Sequence, residues 1–356
     1  MNRRHFITSS SALLAAPLIF QQCRGKRSDS LASSETVTAE PYIKPIVGSW
    51  FEFEHHNQAE GIYWNPALRQ FTAEQWKAKI KEIHDIGFEY LVLLAVAYEG
   101  KTYYPSALQP RHDYACEDPL EAVLSAADEC GIKFFISNDY WSDWTQVEKA
   151  MSDEAIWKLR EKGMEEFAAK YSHHKSFYGW YYPNETEIHG IFDDLSINYA
   201  NRCTAKAKSL TPGCRTMIAP YGTRSIKYDD RYVRQLEQLD VDIIAYQDEV
   251  GVRKTPVGTT GQYYESLYTM HVKAGRSRLW ADVEIFEFEG EVYKSALLPA
   301  PSERVFRQLA DITPFVENIL VYQYLGMMNR PGTAAFAGHK DSERLYSDYV
   351  RKFNIK

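Results

Sequence analysis

Two glutamates in this 356-residue chain each close a short apolar run. Glu185 follows Trp180, Tyr181, Tyr182, Pro183 and Asn184, and Glu284 follows Trp280, Ala281, Asp282 and Val283. A protonated carboxyl group can hand its proton to a departing oxygen, while an ionised one can attack carbon or activate water. A facing pair of them is the equipment of glycosidic-bond cleavage. About 5–5.5 Å apart, the second group is a nucleophile and the sugar keeps its configuration; at about 6.5–9.5 Å a water molecule fits between them and the configuration inverts. Neither route calls for a cofactor.

The elements that must position these groups are β-α units. From Ile46 onward, short apolar runs alternate with segments of helical period, the pattern of a parallel sheet with helical crossovers. The strands are expected at 46–53, 88–97, 133–138, 177–182, 216–220, 241–246, 278–285 and 318–325. Helix signals fall between them. Thr72 with Gln75 forms a capping box, Phe71 and Trp76 have the spacing of a hydrophobic staple, and Gly87 ends the helix. Asp118, Pro119 and Glu121 open a second helix that Gly131 closes. Further helices are expected at 156–169, 197–209, 229–239, 262–274 and 302–312. Eight such units close into a single-domain α/β (β/α)8 barrel, and no glycine-rich dinucleotide fingerprint follows the first strand.

In that fold chemistry gathers at the C-terminal strand ends. Besides the two glutamates, this singles out Trp50 and Glu52 on strand one, Asn184 on strand four, Tyr221 after strand five, Tyr246, Gln247 and Asp248 on strand six, Trp280 and Asp282 on strand seven and Tyr324 on strand eight. Alternation puts Trp280, Asp282 and Glu284 on one face. Gln247 and Asp248 suit sugar hydroxyls or a polar layer closing the barrel mouth, and Tyr246 could instead orient the nucleophile. Trp50, Tyr98, Tyr140, Trp141, Trp144, Tyr181 and Tyr221 lie near strand ends, where rings stack on the C–H faces of sugars or simply fill the packing between helices and barrel. His55 and His56, adjacent on a strand, would face opposite ways, so no metal site is expected.

Asn184-Glu185 ending strand four, with a carboxylate ending strand seven, resembles the clan of retaining (β/α)8 glycoside hydrolases. The stretches 179–185, Tyr246 to Gly251 and Trp280 to Glu284 are more closely similar to a domain-of-unknown-function family of glycosidase-like barrels, over roughly residues 46–329. The resemblance implies Glu185 as acid/base, Asn184 as a contact to the sugar 2-hydroxyl and Glu284 as nucleophile. Rival roles are simple to state. Glu185 could sit in the first turn of a helix and complement its dipole. Glu284 could pair with Arg215 or Arg224, and Glu287 and Glu289 follow closely enough to compete for its role. At the level of the whole chain, the rivals are an inverting hydrolase and a surface glycan-binding barrel without turnover.

The ends bound the setting. Residues 1–23 read as an export signal: Arg3 and Arg4 precede a short apolar run, in a twin-arginine-like arrangement. Cys23 stands where a lipoprotein carries its acylated cysteine, although Gln22 is not the small residue usual there. Residues 24–41 read as a flexible tether, and 42–356 as the catalytic barrel. The expected location is periplasmic or at the cell surface, with a lipid anchor through Cys23 as an option. Hydrophobic residues at 45% and charged ones at 25% fit one large globular domain. The formal charge of −7 becomes −12 without Arg3, Arg4, Arg24, Lys26 and Arg27, which argues against nucleic acid and leaves carbohydrate as the expected partner. The spacing of Cys116, Cys130, Cys203 and Cys214 matches neither a metal knuckle nor a disulfide framework.

Overall fold

The computed structural model of the protein describes residues 42–355. Residues 1–23, read above as an export signal, and 24–41, read as a tether, lie outside them, and Cys23 with them. Eight strands occur where the apolar runs are: β1 (Gly48–Phe51), β2 (Tyr90–Leu93), β3 (Lys133–Ser137), β4 (Phe177–Tyr181), β5 (Arg215–Ile218), β6 (Ile243–Gln247), β7 (Arg278–Glu284) and β8 (Ile319–Tyr322). Each pairs in parallel with its sequence neighbours, and Ser49 lies opposite both Leu91 of β2 and Val321 of β8, which closes the barrel. Covered by helices outside and side chains inside, the strands are almost wholly buried, hence runs such as Tyr90–Leu93 with no polar residue.

Each strand is followed by a helix: α1 (Ala73–Asp85), α2 (Pro119–Cys130), α3 (Glu154–Tyr171), α4 (Asp194–Leu210), α5 (Asp230–Gln238), α6 (Thr260–Ala274), α7 (Ser302–Ile312) and α8 (Ser342–Lys352). Their ends obey local chemistry. Thr72 Oγ1 accepts from the Gln75 amide at 3.3 Å while Gln75 Oε1 accepts from the Thr72 amide at 3.0 Å, and the Phe71 and Trp76 rings meet at 5.0 Å. Asp118 caps α2 through the Glu121 amide, and Gly131 ends it at φ 78°, where a side chain would be strained. Helix α8 and two small hairpins, Ala97–Tyr98 with Lys101–Thr102 and Phe286–Phe288 with Leu297–Pro299, have no counterpart in the sequence reading. Cys116, Cys130, Cys203 and Cys214 are free thiols.

The lower barrel is filled by aromatic rings. Trp280 on β7 meets Tyr90 on β2 at 4.9 Å and Phe135 on β3 at 6.3 Å, contacts that cross the barrel axis. Above them Trp50 on β1 meets Tyr181 on β4 edge-on at 5.8 Å, and this pair floors a cleft that opens at the C-terminal strand ends.

Candidate active site

Glu185 stands four residues beyond the end of β4 and well before α4, whose N-terminus Asp193 caps through the Ser196 amide. Its carboxylate therefore belongs to the cleft and not to a helix dipole. Tyr181 Oη donates to Glu185 Oε1 at 2.6 Å, and Gln247 Nε2 donates to Oε2 at 2.9 Å. Burial pushes the Glu185 pKa up to about 8, against the pull of those two hydrogen bonds.

Glu284 ends β7, three strands around the barrel, and lines the same cleft. Val252 N donates to its Oε2 at 2.8 Å. That loop reaches so close because residue 251 is glycine: a Cβ there would lie 2.9 Å from Glu284 Cβ and 2.8 Å from Phe286 O. Burial first, then the neighbouring Asp248 carboxylate, raise the Glu284 pKa to about 8. Among the described residues no arginine pairs with it through the side chain. Arg215 binds Asp242 and Arg224 binds the Lys254 carbonyl, whereas Arg304 Nη2 and Gln308 Nε2 on α7 donate to the Glu284 carbonyl at 3.0 and 3.1 Å. Glu287 and Glu289 lie on the hairpin beyond the strand, and neither lines the cleft.

Asp282, two residues before Glu284 on β7, lines the same cleft and is only 2% exposed. Its Oδ1 has no hydrogen-bond partner. Burial, and then Glu284, Asp248 and Glu185 in turn, hold its pKa well above the usual carboxylate range.

The other candidates divide by depth and direction. Trp50, Gln247 and Tyr221 line the cleft, as do Tyr140, Trp144 and Tyr181. Six do not line it. Tyr246 points outward, its hydroxyl bonded to Tyr232 at 2.7 Å and to His271 at 3.2 Å. Tyr324 donates to Glu82 of α1, also outside the barrel. Trp280 shares a strand face with Asp282 and Glu284, as the alternation predicts, but lies deep in the aromatic floor. Asp248 is a buttress: its Oδ1 accepts from the Glu284 amide at 3.1 Å and its Oδ2 from Gln308 at 2.6 Å. Glu52 sits behind His55, which bonds its Oε1 at 2.8 Å. Asn184, for which the resemblance implies a sugar contact, donates instead to Asp139 and to Tyr199 Oη, so it anchors the turn that carries Glu185.

That anchor rests on a buried ion pair, Arg160 Nε to Asp139 Oδ2 at 2.6 Å, with both side chains fully enclosed. Deleting one partner strands the other charge, so Asp139→Ala is expected to cost about 3–5 kcal/mol of stability in a urea titration. A loss below 1 kcal/mol would mean that the pair bears no weight.

The histidines correct the sequence reading. Strand β1 stops at Phe51, so His55 and His56 lie on irregular backbone and their rings come within 4.8 Å instead of facing apart. Together with Glu52 they could form a metal cluster. In the structure, however, both nitrogens of His55 already meet carboxylates, Glu52 at 2.8 Å and Glu60 at 2.9 Å. Burial opposes its charge, but the two acids outweigh burial and lift its pKa to about 10. Burial and the charge of His55 depress His56 to about 3. The neutral His56 ring packs edge-on against Trp144 at 4.3 Å in the cleft wall.

Glu249, Lys254 and Tyr293 also line the cleft and escaped the sequence reading. Glu249 Oε2 accepts from the Gly222 and Thr223 amides at 2.9 and 3.0 Å, while Lys254 lies 3.4 Å from Glu187 and 3.6 Å from Glu249. All three belong to loops. The sequence signals were nearness to strand ends six and seven and, for Glu249, its place in the stretch Tyr246 to Gly251.

A closed eight-stranded parallel barrel with a carboxyl-rich cleft at its C-terminal mouth is a (β/α)8 barrel with its candidate site where that fold places one. The chain belongs to the family described as Domain of unknown function (DUF4434), whose model matches residues 46–335. Among solved structures it is similar to a protein named putative alpha-L-fucosidase from Bacteroides thetaiotaomicron VPI-5482: 16% identity, 94% of this chain, 100% of that one, TM-score 0.65. It is also similar to an endo-1,4-beta-mannanase from Rhizomucor miehei, at 7% identity over 90% of this chain and 97% of that one, TM-score 0.52. At such identities the likeness is one of fold. No curated protein matches in sequence.

Proposed function

We propose that the protein is an exported glycoside hydrolase that retains configuration, with Glu185 as acid/base and Glu284 as nucleophile. The observation that carries this is one cleft lined by both carboxyls, each raised to about 8. Glu185, protonated, gives its proton to the departing oxygen while Glu284, ionised, bonds to the anomeric carbon. Glu185 then takes a proton from the water that frees the sugar. Gln247 and Tyr181 hold the acid, and Val252 N and Asp248 hold the nucleophile. The export features of residues 1–41 and a lipid anchor at Cys23 would set this activity at the cell surface.

A screen of plant, host and microbial glycans for released reducing sugar tests the activity. NMR of the first-formed anomer tests retention, and the opposite anomer would assign the inverting route. The pH dependence follows from the pair. Falling pH protonates Glu284 and removes the nucleophile; rising pH deprotonates Glu185 and removes the acid. The kcat/KM profile should thus be a bell with both limbs well above 4.5, the ordinary glutamate value. An acid limb at about 4.5 would mean that burial does not raise the nucleophile's pKa in the working enzyme.

A further inference from the structure

The cleft is one of two adjoining cavities. It encloses about 630 Å3, and a second lobe of about 860 Å3 lies beside it. Thr145, Val147, Glu185, Glu187 and Tyr221 line both, so Glu185 stands at the junction of a continuous groove. Glu284 and Asp282 line only the smaller lobe. The larger is walled by the segment Thr145 to Lys149, by the 186–193 loop and by Leu195 in the first turn of α4, with Thr186, His189 and Asp193 offering polar groups.

This asymmetry orients a substrate, given the roles assigned to the two glutamates above. The sugar attacked at its anomeric carbon must lie over the nucleophile, hence in the smaller lobe. The oxygen that leaves must meet the acid at the junction, so whatever it belongs to extends into the larger lobe. We propose that the larger lobe is a binding site for a saccharide leaving group, so that the enzyme cuts between sugar residues of a chain. Its wall suits such a group: polar side chains of Gln146, Lys149, Thr186 and His189 share it with the apolar surfaces of Leu195, Val147 and Tyr221. Lys149 and His189 are exposed at the lobe and cap no helix, so changing them leaves the barrel core untouched.

The test compares two substrates of one sugar: the 4-nitrophenyl glycoside, with a small aryl leaving group, and a trisaccharide. They are drawn from the glucose, galactose, mannose, fucose or N-acetylglucosamine series that the wild-type enzyme cleaves. In the Lys149→Ala/His189→Ala double variant, the ratio of kcat/KM for trisaccharide to that for aryl glycoside should fall about tenfold, or about 1.4 kcal/mol of leaving-group binding. An unchanged ratio overturns the proposal, as does a wild-type enzyme that cleaves aryl glycosides alone; the hydrolase assignment survives both. Cleavage of neither substrate in any series overturns that assignment and the leaving-group site together.

Discussion

Glu185→Gln should release sugar from an oligosaccharide about 10²–10⁴ times more slowly than the wild-type enzyme, the usual worth of a positioned general acid. Glutamine keeps the shape and can still accept from Tyr181 Oη, but it has no proton to give. Gln247 loses its acceptor on Oε2 yet keeps the Ala219 carbonyl at 2.8 Å, so the site should stay in place. A leaving group that needs little protonation gives a built-in control. The deficit should shrink for a 4-nitrophenyl glycoside, at least in the step that expels the aryl group. Oligosaccharide turnover above a tenth of the wild-type rate would remove Glu185 from the reaction.

The companion change, Glu284→Gln, should cost at least as much, and equally for good and poor leaving groups, because no covalent intermediate can form. The loss cannot be put down to unfolding. Burial and Asp248 disfavour the Glu284 carboxylate, so a neutral amide relieves a like-charge contact and the melting temperature should hold or rise. Groups that act as one unit are not additive. The Glu185→Gln/Glu284→Gln double variant should therefore be little worse than the poorer single one. Normal turnover by Glu284→Gln, with a deficit instead in Glu287→Gln, would move the nucleophile to the hairpin.

Most of the fold was legible because its signals are local. Apolar runs too short for helices, a capping box at Thr72 and Gln75, and a left-handed glycine at 131 each fix an element without distant information. The strand-end rule likewise brought Glu185, Asp282 and Glu284 into one cleft. It went astray where direction or depth mattered. Strand alternation gives Trp280 the same face as Glu284, yet at about 3.3 Å per residue it lies about 13 Å lower, among Tyr90 and Phe135. Tyr246 is one residue from Gln247, and that single step turns it outward to Tyr232 and His271. Asp248 became a buttress through the Glu284 amide and through Gln308, both far along the chain. The histidine pair was misjudged because strand alternation was carried past the strand end expected at residue 53; β1 stops at Phe51, and His55 and His56 lie on irregular backbone.

The aromatic floor has a consequence for traffic. Trp280, Tyr90, Phe135 and Tyr178 pack against one another below the cleft, and Lys133 and Arg278 lie over those rings. The barrel is therefore a blind well and not a conduit. Substrate, water and both products pass the same rim, and a chain can only lie across it, never thread through. Asp282, deep in that well with one oxygen unpartnered, has the mouth as its route for exchanging a proton with solvent. Whatever occupies the groove also corks the proton supply of the acids beneath it.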